Sequence, residues 1–227
     1  MRLYKFISAK WGLDDLRCRR VKIAELPTLN DPFELLPLVF PDRVSEQVFK
    51  EWRDEEAREA GIISFSKSAA NPVMWAHYAE NHAGLCLGFD VPDAPDGSPA
   101  KVESPNSHAY ATKVKYINAP HRFPESNDGL TEDLMYKILF DKFIHWQYEN
   151  EYRIYSSITE RARNGFCYFE FGTNLVLKEV IIGYKSSVTL NRVKHCLLDP
   201  ARGEVNISKV KPSSAAFEMV PDQDAIY

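Results

Sequence analysis

The chain has 227 residues, 44% hydrophobic and 26% charged, an ordinary globular composition long enough to bury a core without staples. These values exclude a disordered tail, a fibrous repeat and a coiled coil. The net charge of −4 excludes a general phosphate-binding surface, which needs a basic excess.

No run reaches the roughly 18 apolar residues of a membrane span, so no membrane association is expected. The segment Met1-Arg2-Leu3-Tyr4-Lys5-Phe6 alternates like a strand and lacks the charged-then-apolar layout of a leader. The cysteines Cys18, Cys86, Cys167 and Cys196 are widely spaced, with no C-x-x-C pair. They read as free thiols of a cytoplasmic protein, and no metal site is expected from them.

In chain order, residues 2–6 predict a strand, 10–19 a short helix and 21–24 a second strand. The stretch Leu29-Asn30-Asp31-Pro32-Phe33-Glu34 predicts a turn with an aromatic plug, because Pro32 keeps Asp31 out of the helical region. Residues 44–60 give the clearest helix, with Val44, Val48 and Trp52 at four-residue steps and Gly61 as its stop. A buried strand at 62–66 follows, then a helix at 72–81 with Pro72 in its first turn, then an apolar strand at 84–89.

The Pro-, Asp- and Ser-rich stretch 91–107 reads as an exposed loop rather than a linker. Strands are expected near 110–117, 149–156, 165–171, 178–183 and 205–210, and helices near 130–144 and 188–198. Strands outnumber helices without regular alternation. The expectation is a single α+β domain over 1–227, with a curved, mostly antiparallel mixed sheet and about five helices.

Four clusters carry candidate chemistry. In the 29–34 turn, Phe33 offers a ring to a planar ligand and Asn30 or Asp31 a polar anchor, although Asn and Asp before Pro also simply cap turns. In the strand at 62–66, Ser64 and Ser66 project to one face, either to satisfy the next turn or as a polar wall for a ribose or phosphate. Trp75, His77, Tyr78 and His82 crowd one helix end; such clusters are most often core, and otherwise make a stacking cage. His77 and His82 are five residues apart, which is not the spacing of a zinc-peptidase helix. In His145–Tyr155, strand parity sets Glu149, Glu151 and Arg153 on one side. Exposed, they make weak ion pairs; partly buried, Arg153 holds one carboxylate ionised while the other acts on a substrate.

Taken together, L-Y-K-F near the start, L-N-D-P-F-E at 29–34, S-F-S at 64–66, M-W-A-H-Y-A-x-x-H-x-G at 74–84, W-Q-Y-E-N-E-Y-R at 146–153 and I-I-G at 181–183 resemble a bacterial domain of unknown function, family 2971. The resemblance runs from about residue 2 to 210. More distantly, the order of motifs is similar to the ADP-ribosyltransferase fold. That likeness implies NAD as substrate, with Tyr4 and Lys5 on the first strand, Ser64 and Ser66 on the second, and Glu149-x-Glu151 on the third. The usual His or Arg of the first strand is absent, and Lys5 stands nearest its place.

What the resemblance implies is an NAD-consuming ADP-ribosyltransferase or NAD glycohydrolase of the toxin or phage-defence kind, acting on a protein or nucleic-acid acceptor or on water. Glu151 would stabilise the oxocarbenium-like state and Glu149 would activate the acceptor. Tyr4, Lys5, Asn30, Phe33, Ser64, Ser66, Trp75, His77, Tyr78 and Arg153 would bind the dinucleotide. Neither a G-x-G-x-x-G nor a G-x-x-x-x-G-K-[ST] motif occurs, which argues against Rossmann and P-loop modes. Two other readings stay open. One is a non-catalytic nucleotide-binding or sensor domain. The other is a metal-dependent nuclease, if Asp31, Glu34, Glu149 and Glu151 converge on Mg²⁺.

Overall fold

The computed structural model describes residues 1–31, 33–35, 37–93, 98–104, 107–124, 130–158, 160–197 and 204–225. The strands are β1 (Arg2–Ile7), β2 (Arg20–Lys22), β3 (Ala24–Glu25), β4 (Leu38–Val39), β5 (Ala60–Ser66), β6 (Leu85–Asp90), β7 (Ala100–Ser104) and β8 (Ser107–Lys113). They continue with β9 (Lys115–Ile117), β10 (His121–Arg122), β11 (Asp141–Phe143), β12 (Glu151–Ser157), β13 (Tyr168–Glu170), β14 (Val176–Ile182), β15 (Asn206–Pro212) and β16 (Met219–Pro221). The α-helices among the described residues are α1 (Ala9–Cys18), α2 (Arg43–Glu59), α3 (Pro72–Tyr78), α4 (Glu132–Phe140) and α5 (Leu190–Cys196).

Ten strands form one sheet in the order β16-β15-β14-β6-β1-β5-β12-β8-β7, with β3 also on β5. Only the β14–β15 pair in it is parallel. The chain is therefore α+β with a mixed, mostly antiparallel sheet, as its strand-rich, non-alternating pattern predicts.

The helices begin where short polar side chains satisfy free backbone N–H groups. Asp42 accepts from the Ser45 amide before α2, Asn71 from Val73 before α3, Thr131 from Leu134 before α4 and Thr189 from Arg192 before α5. α3 stops at Tyr78, short of the predicted 81, because Glu80, Asn81 and His82 turn left-handed with φ of 52°, 52° and 71°. The predicted helix at 130–144 ends at Phe140, and Asp141–Phe143 leave as β11 to pair with β9. The 91–107 stretch is not loop throughout, since Ala100–Ser104 pair with β8; residues 94–97 and 105–106 lie outside the described ones.

One sheet face buries Leu3, Ile63, Phe65, Leu87, Phe89, Ile154 and Val180 against Leu13 and Leu16 of α1 and Val193 of α5. The other face carries two smaller clusters. Ile62 packs with Phe49 of α2 and with Leu134 and Ile138 of α4, while Phe6, Cys86 and Ile181 pack with Met74 and Trp75 of α3. Between these two apolar clusters the same face presents Ser64, Ser66, Glu151 and Arg153. They share it by parity, since Glu151 stands opposite Ser66 and Arg153 opposite Ser64. This polar strip positions the site.

Candidate active site

β5 contacts β1 through Tyr4 opposite Ser66, and contacts β3 through Ile62 opposite Ala24 and Gly61 opposite Glu25. Between those two contacts that edge has no strand partner among the described residues, and Ser64 is exposed there. The Lys5 ammonium reaches into the gap and donates to the Ser64 carbonyl oxygen at 3.4 Å. The result is a cleft lined by Tyr4, Lys5, Asn30, Ser64, Ser66, Tyr78, Glu149 and Glu151, together with Glu34 and Lys142.

The cleft encloses a cavity of about 110 Å³. Small-molecule pockets usually measure roughly 300–1,000 Å³. In this conformation the cavity takes one ring or sugar-sized group, and the remainder of any larger ligand would lie outside it.

Its floor is a buried charge cluster. Lys142 Nζ lies 2.7 Å from Glu149 Oε2, 3.1 Å from Glu151 Oε2 and 3.7 Å from Glu34 Oε2. The Arg153 guanidinium donates to Glu151 at 2.9 and 3.2 Å, to the Leu139 carbonyl at 2.6 Å, and to Glu34. Glu151 also takes its backbone N–H to the Tyr116 hydroxyl at 2.8 Å, and Tyr78 donates to Glu149 Oε1 at 2.5 Å. The five charged side chains are all 6% exposed or less. With every carboxyl ionised, three carboxylates face two cations in the floor, and Lys5 on the cleft wall supplies a third.

Burial tunes these groups unequally. It pushes the Glu151 carboxyl above its ordinary value; Lys142 opposes the rise and Glu149 adds to it. Burial alone would lower Lys142, but the charges of Glu151 and Glu149 outweigh it and the ammonium is raised. Tyr78 is raised by burial and then by its bond to Glu149, and burial pushes Tyr116 up to about 12. Across the cleft, burial lowers Lys5, with Asp15 and Glu151 resisting.

The structure brings together Tyr4, Lys5, Asn30, Ser64, Ser66, Tyr78, Glu149 and Glu151. Glu149 arrives differently from expectation. The strand begins at Glu151, Glu149 ends a 3₁₀ turn over Ile144–Glu149, and left-handed Asn150 (φ 44°) joins them. Arg153 is fully buried beneath the cleft as the partner of Glu151 and Glu34.

Trp75 is also fully buried, edge-on to Phe6, with its indole N–H donating to the Ala69 carbonyl. His77 is exposed and its Nδ1 lies 3.2 Å from the Tyr148 hydroxyl, one residue before Glu149. Phe33 lines a separate cavity. Glu34, weighed only as a metal ligand, belongs to the charge cluster.

Glu34, Glu149 and Glu151 do converge, but on the Lys142 ammonium; Asp31 instead accepts the Phe33 amide at 2.9 Å. Among the described residues no group of three or more His, Cys, Asp or Glu side chains is arranged to hold a metal ion.

Sequence reasoning missed Lys142 and Tyr116. The available signal was electrostatic: buried carboxylates need cations, and Lys142 lies in the otherwise apolar run Ile138-Leu139-Phe140-Asp141-Lys142-Phe143-Ile144. Among the described residues, no helix is long and apolar enough to cross a membrane. All four cysteines are free, and only Cys18 is exposed.

No curated protein and no solved structure matches the chain. Residues 74–154, which carry the helix Pro72–Tyr78 from Met74 onward, Lys142, Glu149, Glu151 and Arg153, match the model of a family described as a protein of unknown function, DUF2971.

Proposed function

We infer that the cleft between β1 and β5 binds an NAD-type dinucleotide, and that the protein breaks the nicotinamide–ribose bond and passes ADP-ribose to water or to a protein or nucleic-acid acceptor. The observation that carries this reading is the convergence of Tyr4, Ser64, Ser66, Tyr78, Glu149 and Glu151 on one small cavity over buried carboxylates.

Cleaving that bond develops positive charge on the ribose while neutral nicotinamide leaves. Water-excluded carboxylates beside the sugar stabilise this charge without reorganising. Lys142 and Arg153 fix the carboxylates in place, and the ring of Tyr78 packs the leaving group. Ser64, exposed at the gap, meets the ribose hydroxyls. A role in toxicity or phage defence would follow from this activity and is suggested by the motif-order resemblance alone.

The test is nicotinamide release from NAD by the purified protein, with and without chelator. Release that survives chelation supports the reading, and absence of release across water, protein and nucleic-acid acceptors overturns it. One observation favours a second reading, a nucleotide-binding module without turnover: each buried carboxylate already has a cationic partner. NAD binding measured by calorimetry without nicotinamide release would select it.

A further inference from the structure

On the far side of the charge cluster lies a second cavity, of about 220 Å³. Phe33, Ile117, Pro120 and Phe143 form its apolar walls. Two of these rings are unusually open to solvent, Phe33 at 68% and Phe143 at 41%. Asp31, Glu34, Asp141 and Lys142 supply its polar lining. Apolar walls with a few convergent polar groups are the usual make-up of a small-molecule site.

We propose that this cavity is a binding site for a small organic cation, an amine or guanidine carried on one ring or a short apolar chain. It is distinct from the nucleotide cleft and does not depend on NAD cleavage. The volume equals about seven waters at their liquid share of about 30 Å³ each, enough for one six-membered ring with a short arm.

The charge of the lining selects the sign of the ligand. Asp31, Glu34 and Asp141 in the lining, with Glu149 and Glu151 behind them, outnumber the two cations they share, Lys142 and Arg153. Asp31 and Asp141 are less than a tenth exposed, so they act in a weakly screened setting. An anion entering here meets like charge, and a neutral ring gains nothing from the excess negative charge. The exposed faces of Phe33 and Phe143 attract a cation and repel an anion. This also gives the turn at 29–34 a role that the cleft leaves unused, because Phe33 reaches this cavity instead.

The test is titration calorimetry of the purified full chain with benzylammonium, benzyl alcohol and benzoate. Benzylammonium is expected to bind saturably and about tenfold or more tighter than benzyl alcohol, with benzoate weakest. Phe33→Ala, at an exposed position, should weaken benzylammonium about 3- to 10-fold. Asp141→Asn should weaken it about tenfold while its side-chain carbonyl still accepts from His121 Nε2, which lies 2.7 Å from Asp141 Oδ2. Tyr184→Phe, at an exposed position outside both cavities, should leave it unchanged. Equal binding of benzoate, no saturable binding at millimolar concentrations, or wild-type affinity in both Phe33→Ala and Asp141→Asn would each overturn the proposal.

Discussion

Tyr4 and Ser66 form the one cross-strand pair between β1 and β5, although β1 has six residues and β5 seven. Every other neighbouring pair along the main sheet path shares at least three such positions. Beyond Tyr4 the strands part, and the open edge of β5 is left to side chains. Lys5 fills part of the gap, and the polar strip of β5 and β12 is reached through the rest.

The cluster beneath the cleft sets a stability prediction. Arg153→Met removes a buried cation and leaves Glu34 and Glu151 without it. Breaking a buried pair from one side costs about 3–5 kcal/mol. Urea unfolding should show a loss of that order. Adding Glu34→Gln to Arg153→Met should recover part of it, because the uncompensated carboxylate is then gone. Additive losses in the double variant would contradict the assignment of these two residues as partners.

Tyr116 tests the cluster from the backbone side. Its hydroxyl oxygen accepts the Glu151 N–H at 2.8 Å, at the first residue of β12. Tyr116→Phe should cost about 1–3 kcal/mol, the usual consequence of stranding a buried donor. Amide exchange at Glu151 should quicken in the same variant. Unchanged stability and exchange would mean that water replaces the hydroxyl.

Asp15 gives a pH prediction on the opposite sheet face. It is 2% exposed on α1, and burial raises its carboxyl to about 7, with Lys5 opposing the rise. Its folded pKa therefore lies above its unfolded one, the reverse of an ion-paired aspartate. Between about pH 4 and 7 the native state holds the extra proton, so this group lowers stability as pH rises, by about 1.4 kcal/mol per unit, and the loss levels off above 7. Asp15→Asn should remove that component. Unfolding free energies of the two proteins should diverge through this window, and parallel curves would refute the assignment.

Two glycines, Gly84 and Gly183, are fixed by backbone crowding. A Cβ on Gly84 would overlap the Ile7 carbonyl oxygen, and one on Gly183 the His82 carbonyl oxygen. The Gly183 N–H donates to the Gly84 carbonyl at 3.0 Å, so the two approaches support each other. Gly84→Ala or Gly183→Ala should destabilise by about 1–3 kcal/mol or more, measured by thermal unfolding. A wild-type melting temperature would show that the loop after α3 moves aside freely.

Much of this was legible in the chain itself. Parity set Glu151 with Arg153 and Ser64 with Ser66, each pair within its own strand; it also put Glu149 on that strand, where the structure has a 3₁₀ turn, and the register between β12 and β5 brings the two pairs to one face. The turn at 29–34 was equally local. What failed was long-range. Asp141-Lys142-Phe143 looks like the tail of α4 until β9 captures it as a strand. Trp75 looks like a stacking platform, but burial against Phe6 makes it core. The Ala100–Ser104 strand sits in turn-forming composition and exists through its pairing with β8.

The last prediction concerns catalysis. Glu151 lies at the centre of the floor, with both cations and Ser64 directed at it. If it stabilises the oxocarbenium-like state, Glu151→Gln keeps the shape and removes the charge. Loss of one such contact costs about 10²–10³ in rate, so nicotinamide release should fall by at least that order. Because burial raises the Glu151 carboxyl, the acid limb of the wild-type rate profile should lie above the range of an ordinary glutamate, with release rising as pH rises through it. Glu149 is held by Tyr78 and Lys142 at the 3₁₀ turn, and in the proposed mechanism it prepares the acceptor. Glu149→Gln should therefore reduce transfer to an acceptor more than hydrolysis to water. Both variants alter a buried ion cluster, so rates are compared at temperatures where thermal unfolding and circular dichroism show each protein folded. Equal nicotinamide release from wild type and Glu151→Gln under those conditions would remove Glu151 from the chemistry. A Glu149→Gln protein with the two activities reduced in equal proportion would remove Glu149 from the acceptor side.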